Sequence, residues 1–200
     1  LNAWENGYFK KQILEVPEAL HKDEGVREET TKEILSQLKP AFKPDGVITA
    51  GNSSQISDGA AALLLVSEDI LNKFNLEPIA KIRSMAVVGT DPVLMLSGPI
   101  PATRKALDQA KLKPEDINLA EINEAFSSVV GAWRKEFPEI NYENVNANGG
   151  SIAIGHPLGA TGARLMTNLI HEMKRNKLKY GLQAICEGGG TANATIVELV

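Results

Sequence analysis

The sequence INLAEINEAFSSVVGAWRKEF, residues 117–137, decides the fold class because it predicts a strand followed directly by a helix. Residues 117–123 predict the strand and residues 124–137 predict the helix. The same succession extends in both directions along the chain. The further elements are a β-rich run at 79–89, helices at 101–110 and 162–176, and strands at 180–186 and 191–200. Such alternation predicts an α/β fold, a layered sheet with helices on both faces.

The first eighty residues are organised differently. A charged polar loop leads to a short helix predicted at 31–38. Strands are predicted at 45–52 and 59–69, the second of them buried, and a helix follows at 69–74. A strand, a small-residue turn and an apolar strand thus occur at 46–66 and again at 180–200. This pattern indicates a weak internal repeat of two related halves.

Composition excludes several classes of protein. The chain has 200 residues, which allows one ordinary domain or two small ones, and its formal net charge is −4. That charge argues against a nucleic-acid binder, and the longest apolar run, 59–66, is too short to span a bilayer. The single cysteine cannot form an internal disulfide, so we expect a cytoplasmic protein. Because the chain opens on Leu1 rather than Met, we expect a cut or processed beginning.

His156 lies in the glycine-rich stretch NANGGSIAIGHPLGATGARL, residues 146–165. Five glycines there indicate a chain that turns sharply or lets a ligand approach closely. A helix is predicted just downstream, and a helix N-terminus tends to keep an imidazole neutral. His156 is therefore either an ordinary surface or core residue, or a base and oxyanion donor. His21 and His171 lie in charged surroundings and are expected at the surface.

Cys186 ends an apolar strand and is followed by Glu187 and the run Gly188–Gly190. A lone cysteine is commonly buried and inert. The three glycines, however, expose backbone N–H groups that can stabilise an oxyanion, and a thiol beside a histidine can be a nucleophile or an acid and base. Both interpretations stay open from the local sequence.

Asn123 closes the strand at 117–123, where α/β sheets place their ligands. The alternative is that its side chain caps the helix that follows. The small, hydroxyl-rich stretch at 51–62 is either a plain connection or a surface beside a narrow ligand. No Cys/His cluster has metal-ligand spacing, so no metal site is predicted.

Five motifs, taken together, resemble the carboxyl-terminal half of a thiolase. They are TAGNSSQISDGAAA (49–62), EINEAF (121–126), VNANGG (145–150), GHPLGATGAR (155–164) and CEGGG (186–190). The second and fifth, and the Gly-His-Pro core of the fourth, are the specific ones. The resemblance implies a five-layer α-β-α-β-α fold with a mixed sheet, of which this chain is mainly the carboxyl-terminal half. It also implies acyl transfer between coenzyme A and a 3-ketoacyl-CoA, as in β-oxidation, by thiolysis or Claisen condensation.

The resemblance assigns four catalytic residues. His156 matches the histidine that activates the nucleophilic cysteine and binds the thioester oxygen, and Asn123 matches the asparagine that positions a water in the same oxyanion hole. Cys186 matches the acid/base cysteine that moves a proton at the substrate α-carbon. Gly188 matches the glycine whose N–H serves the second oxyanion hole.

Five further residues match coenzyme A contacts in the family. Ser54 matches a serine beside the pantetheine arm, and Phe42, Ala50 and Phe126 match residues that line its tunnel. Arg27 matches a residue near the adenine. Coenzyme A is a substrate in this family, so no cofactor is expected, and full-length members form dimers or tetramers. Gln55 stands where many thiolases have glycine and is expected to narrow or reshape the pantetheine surface.

One departure limits the resemblance. The acylated cysteine of the family lies in its amino-terminal half, and this chain has one cysteine only, Cys186. We therefore interpret residues 1–45 as the end of the loop region, 46–78 as the last hairpin and helix of the amino-terminal half, and 79–200 as the carboxyl-terminal domain. The isolated chain is predicted to be inactive. The alternatives are a non-enzymatic acyl-CoA-binding or lipid-binding subunit and a Cys-His thioesterase-like hydrolase.

Overall fold

The computed structural model describes residues 1–18, 20 and 22–200, and within them the central element is a mixed sheet of four strands. The strands are β1, Ala80–Gly89; β2, Leu119–Ile122; β3, Tyr180–Cys186; and β4, Thr191–Leu199. They lie in the order β1-β4-β3-β2. The β1–β4 and β3–β4 pairs are antiparallel, whereas β2 and β3 run parallel.

Seven α-helices occur in the described residues. They are α1, Asn2–Glu5; α2, Lys32–Ser36; α3, Glu68–Phe74; α4, Pro99–Ala110; α5, Ser127–Glu136; α6, Ser151–Ile154; and α7, Thr161–Asn176. Short 3₁₀ turns cover Ala50–Asn52, Pro114–Asp116, Tyr142–Asn144 and Gly188–Gly190. No helix in the part of the chain that the structure describes is long and apolar enough to cross a membrane.

Helices pack on both faces of the sheet, and adjacent residues of β4 show it. Ile196 packs into a core with α4 and α5, whereas Val197 packs into a second core with Leu169 and Met173 of α7. Consecutive strand residues point to opposite faces, so the two cores lie on opposite sides of the sheet. The α/β class, the mixed sheet and the helices on both faces are therefore confirmed.

Helix α7 approaches the sheet closely at Gly181 of β3. A Cβ atom at Gly181 would overlap Met173 Sδ and would lie 3.1 Å from Leu169 Cγ. Glycine at this position therefore allows the helix to pack directly on the strand, close to the end of the sheet opposite Cys186.

The strands predicted at 45–52 and 59–69 are wrong. The first segment ends in the 3₁₀ turn Ala50–Asn52, and residues 54–67 form no helix or strand. The predicted burial is also wrong, since Leu64 and Leu65 are 82% and 71% exposed. A strand needs a neighbouring strand for its backbone hydrogen bonds, and the described residues supply none here. Among the described residues, the predicted hairpin therefore forms at 180–200 but not at 46–66.

Candidate active site

Three of the predicted catalytic residues converge at the carboxyl ends of two neighbouring strands. Asn123 directly follows β2 and Cys186 ends β3, and these strands are parallel neighbours. Their carboxyl ends therefore lie side by side, and the Asn123 N–H donates to Ala184 O at 2.9 Å. His156 reaches the same place from the turn between α6 and α7, where its Nε2 lies 3.5 Å from Asn123 Nδ2.

The hydrogen bonds of His156 define its neutral tautomer. Its Nδ1 lies 2.7 Å from Thr161 Oγ1, and the Thr161 hydroxyl donates to Pro157 O at 2.8 Å. A hydroxyl has one proton, so Thr161 accepts from Nδ1–H, and Nε2 presents its lone pair to the site. Burial, followed by the charge of Arg164, lowers the pKa of His156. The imidazole is therefore neutral and is able to accept a proton at Nε2.

The side chain of Asn123 is turned into the site and does not cap a helix. It is fully buried, and its Oδ1 accepts from Ser151 Oγ at 2.7 Å. Helix α5 begins only at Ser127, and its N-cap residue is Phe126. The capping alternative for Asn123 is therefore wrong, because three residues separate it from the helix and its polar atoms have other partners.

Cys186 is buried, and this burial raises the pKa of its thiol. Hydrogen bonds involving its own backbone and the Asn123 side chain lower the pKa, and the charge of Glu187 raises it again. Glu187 is turned aside, because Asn193 Nδ2 donates to its Oε1 at 2.5 Å. The thiol is therefore protonated at neutral pH and suits a proton donor better than a resting nucleophile.

Three of the four catalytic candidates line one cavity of about 470 Å³. His156, Cys186 and Gly188 lie on its wall, together with the apolar side chains of Met95 and Leu158. Gly188 is exposed, and a Cβ atom there would meet no other atom within 4 Å. The structure thus brings all four catalytic candidates to one site, since Asn123 contacts two of them.

The predicted coenzyme A residues form a looser group. Phe42 is 72% exposed and its ring lies edge-on to that of Phe126, with 5.7 Å between centroids. The Ser54 N–H donates to Ala125 O at 3.2 Å, which places it next to Phe126. Ala50 is exposed in the preceding 3₁₀ turn, and Arg27 is exposed in the loop before α2. Phe42, Ser54 and Phe126 therefore lie next to the site, because Ala125 lines its cavity.

Gln55 supports the histidine turn. Its backbone oxygen accepts from the His156 N–H at 3.0 Å. Its side-chain amide donates to Ile152 O and Ala153 O at 3.2 and 3.0 Å. The amide is therefore engaged by the backbone of α6, and its effect on the pantetheine surface stays a prediction.

Sequence reasoning missed Ser151, Thr161 and Arg164. Thr161 bonds to His156, Ser151 bonds to Asn123, and Arg164 bonds to Ser151. No local pattern marks them, because their role depends on partners from other elements. Of the other histidines, His171 is half-buried beside the charges of Lys174 and Lys11, and burial lowers its pKa. His21 lies outside the described residues. Among the residues described, no group of three or more His, Cys, Asp or Glu could hold a metal ion.

Comparison with known protein families agrees with this geometry. The family model "Thiolase, C-terminal domain" matches residues 76–199, and "Thiolase, N-terminal domain" matches residues 1–69. Steroid 3-ketoacyl-CoA thiolase FadA6 of Mycobacterium tuberculosis is 49% identical over 96% of this chain and 47% of that protein. The 3-ketoacyl-CoA thiolase of Bacillus subtilis is 50% identical over 88% of this chain and 45% of that protein.

Solved structures show the same relationship. The Bacillus anthracis acetyl-CoA acetyltransferase superposes with a TM-score of 0.92 at 43% identity, and the superposition covers all of this chain and 52% of the acetyltransferase chain. Human mitochondrial 3-ketoacyl-CoA thiolase in complex with CoA gives a TM-score of 0.90 at 37% identity, covering all of this chain and 51% of its own.

The chain belongs to the thiolase family, and its thiolase-like fold is confirmed. It spans about half the length of the curated relatives it matches. The division at residues 45 and 78 stays a prediction.

Proposed function

We propose that this chain provides the acid/base and oxyanion part of an acyltransferase that acts on coenzyme A thioesters. The reaction is acyl transfer between coenzyme A and a 3-ketoacyl-CoA, and it needs a nucleophilic cysteine from a longer protein. The observation that carries the proposal is that His156 and Cys186 line one cavity and Asn123, from a third part of the chain, contacts both of them.

Each group suits one step of that reaction. The neutral His156 accepts the proton of an incoming thiol at Nε2 and then, as imidazolium, donates from Nε2 to a thioester oxyanion. Asn123 Nδ2 lies beside it and adds a second donor or holds a water. The protonated Cys186 gives its proton to the α-carbon of the departing enolate, and its thiolate removes that proton when the reaction runs as a condensation.

A hydrolase with Cys186 as nucleophile fits the site less well. Such an enzyme needs a thiolate in its resting state, whereas burial raises the pKa of the Cys186 thiol.

The pantetheine arm of coenzyme A is proposed to contact Phe42, Ala50, Ser54 and Phe126, and the adenine end is proposed to contact Arg27. Coenzyme A is then a substrate and no cofactor takes part. A cytoplasmic, oligomeric full-length protein that binds neither nucleic acid nor membrane completes the proposal.

The test joins this chain to the amino-terminal half of the Bacillus subtilis 3-ketoacyl-CoA thiolase and measures coenzyme A-dependent cleavage of acetoacetyl-CoA. We expect turnover by the fusion and none by the isolated chain. The variant His156→Ala in the fusion is expected to lose about 10²- to 10³-fold in kcat, as on removal of an oxyanion donor.

His171→Ala is the matched control, because His171 lies on α7 outside the site and its removal is expected to leave turnover unchanged. A folded fusion without turnover would contradict the acyltransferase proposal. Thiolysis by the isolated chain would contradict the need for a second cysteine, and an inactive fusion that still binds acyl-CoA tightly would favour the non-enzymatic subunit.

A further inference from the structure

A line of buried polar groups lies behind Asn123. Ser151 and Asn123 are both fully buried, and Ser151 Oγ lies 2.7 Å from Asn123 Oδ1. Arg164 comes from the first turns of α7 and places its Nη2 3.2 Å from Ser151 Oγ. Its Nη1 donates to Ile154 O at 3.1 Å, which ties the same guanidinium to the end of α6.

The hydrogen bonds along this line agree in direction. A guanidinium only donates, so Ser151 Oγ accepts from Arg164, and the Ser151 hydroxyl donates to Asn123 Oδ1. On the other side of the amide, the neutral His156 presents a lone pair at Nε2, which is satisfied by the NH₂ end of Asn123. The oxygen end of the amide therefore lies on the Ser151 side, and its NH₂ end faces His156 and Cys186. Without such bonds the two ends of an amide are close to interchangeable in shape.

Arg164 is partly buried, and its position has an energetic cost. Its Nε is buried without a hydrogen-bond partner among the described residues, and an incompletely paired cation away from water costs stability. Burial lowers the pKa of Arg164, against the attraction of acidic groups that include Asp23 and Glu124. A partly buried cation held behind an active-site amide is expected where orientation of that amide has value.

We propose that Arg164 and Ser151 are positioning residues that hold the Asn123 amide with its NH₂ end toward His156. The catalytic consequence rests on the proposed function, but the orientation of the amide exists without substrate. The two are therefore tested separately.

The test is NMR spectroscopy of the isotope-labelled chain without ligand. In the unmodified chain we expect an NOE between the Asn123 side-chain amide protons and His156 Hε1. In the double variant Ser151→Ala/Arg164→Met, both donors that fix the amide are absent, so this NOE is expected to lose most of its intensity. The single variant Ser151→Ala gives the same readout if the double variant does not fold.

A second readout tests whether the guanidinium lies close to His156. Arg164→Met removes a nearby positive charge, so the pKa of His156, followed by its ring resonances, is expected to rise. The NOE distinguishes positioning from simple structural support, because a loss of stability alone does not turn the amide of a folded chain.

Arg104→Met is the matched control, because Arg104 pairs with Glu136 on the surface and the same substitution there should change neither readout. Full NOE intensity in the double variant, or in Ser151→Ala if only that variant folds, would overturn the proposal. So would an unchanged His156 pKa in Arg164→Met.

Discussion

At the scale of single residues, the site is controlled by hydrogen bonds to the groups that carry the chemistry. Thr161 accepts from His156 Nδ1–H, and this bond orients the ring and leaves Nε2 free for proton transfer. In the proposed reaction, Thr161 therefore acts through His156. The same helix contains Thr167, whose hydroxyl donates in the same way to Ala163 O at 2.8 Å but does not contact the site.

Thr161→Val is therefore expected to lower kcat of the fusion protein roughly 10-fold, the effect of losing one hydrogen bond of about 1–1.5 kcal/mol. The population of the Nδ1–H tautomer, measured from the ¹⁵N shifts of His156, should fall in parallel. Thr167→Val removes an equivalent hydroxyl from α7 and should change neither quantity. Equal effects of the two substitutions would mean that Thr161 contributes only to helix stability.

Glu121 is a second residue whose effect follows from its surroundings. Burial raises the pKa of its carboxyl to about 8, against the attraction of Arg164, while Glu124 and Glu172 act in the same direction as burial. The folded chain therefore binds a proton that the unfolded chain, with a carboxyl pKa of 4.5, has already released. The contribution of this protonated carboxyl to the stability of the folded chain is fully present below pH 4.5 and is lost as the pH rises toward 8.

Glu121→Gln keeps the neutral form at every pH, so the variant is expected to gain stability relative to the unmodified chain as the pH rises from 4.5 to about 8. The limiting slope for one proton is about 1.4 kcal/mol per pH unit. Urea unfolding at several pH values measures the difference, with Glu115→Gln, an exposed carboxylate, as control. A difference that does not vary with pH would show that Glu121 is ionised in the folded chain.

At the scale of elements, the contact between α7 and β3 determines where the histidine turn lies. Met173 and Leu169 are fully buried against the sheet, and Gly181 lets them reach the strand backbone. The start of α7 carries Thr161 and Arg164 to the site. Packing at one end of the helix therefore supports the geometry at the other.

Gly181→Ala is expected to destabilise the chain by about 1–3 kcal/mol, because the added methyl group overpacks this contact. Gly131 offers a matched control, since a Cβ atom there would meet nothing within 4 Å and the residue lies inside α5. Gly131→Ala should stabilise the chain by about 0.5–1 kcal/mol through helix propensity. Denaturant unfolding measures both, and similar signs for the two changes would contradict the close packing at Gly181.

At the scale of the whole molecule, apolar side chains are exposed away from the site. Leu64 and Leu65 lie in the segment without regular structure, and Met85 and Val87 lie on β1 with 65% and 61% of their surface exposed. Exposed apolar side chains of this kind can promote association with other chains.

Leu64→Asp/Leu65→Asp is expected to reduce binding of an apolar fluorescent dye and self-association of the isolated chain. Because both side chains are exposed, the free energy of unfolding should change by no more than about 0.5 kcal/mol per site. Dye fluorescence and sedimentation measure the first effect, and urea unfolding the second. A large loss of stability would indicate that these leucines are buried in solution.

Much of the carboxyl-terminal part was predictable from sequence. The helices and strands after residue 79 lie where periodicity predicts them, because each has a local pattern that matches its covered faces. The motifs around Asn123, His156 and Cys186 also predicted which residues meet. The roles assigned to these residues stay proposals. The prediction of a buried strand at the apolar run 59–66 is wrong because an apolar composition alone does not define a strand. A strand also needs a neighbouring strand to pair with.

The sequence by itself determined the family, the order of the elements and the principal candidates for chemistry, because these depend on residue types at short spacing. Only the tertiary structure decided how those candidates are held. Thr161 defines the tautomer of His156, Ser151 and Arg164 orient Asn123, and Gln55 supports the histidine turn. Most of these contacts join residues from different elements, and whether donors and acceptors meet at 3 Å is decided by packing and not by local sequence.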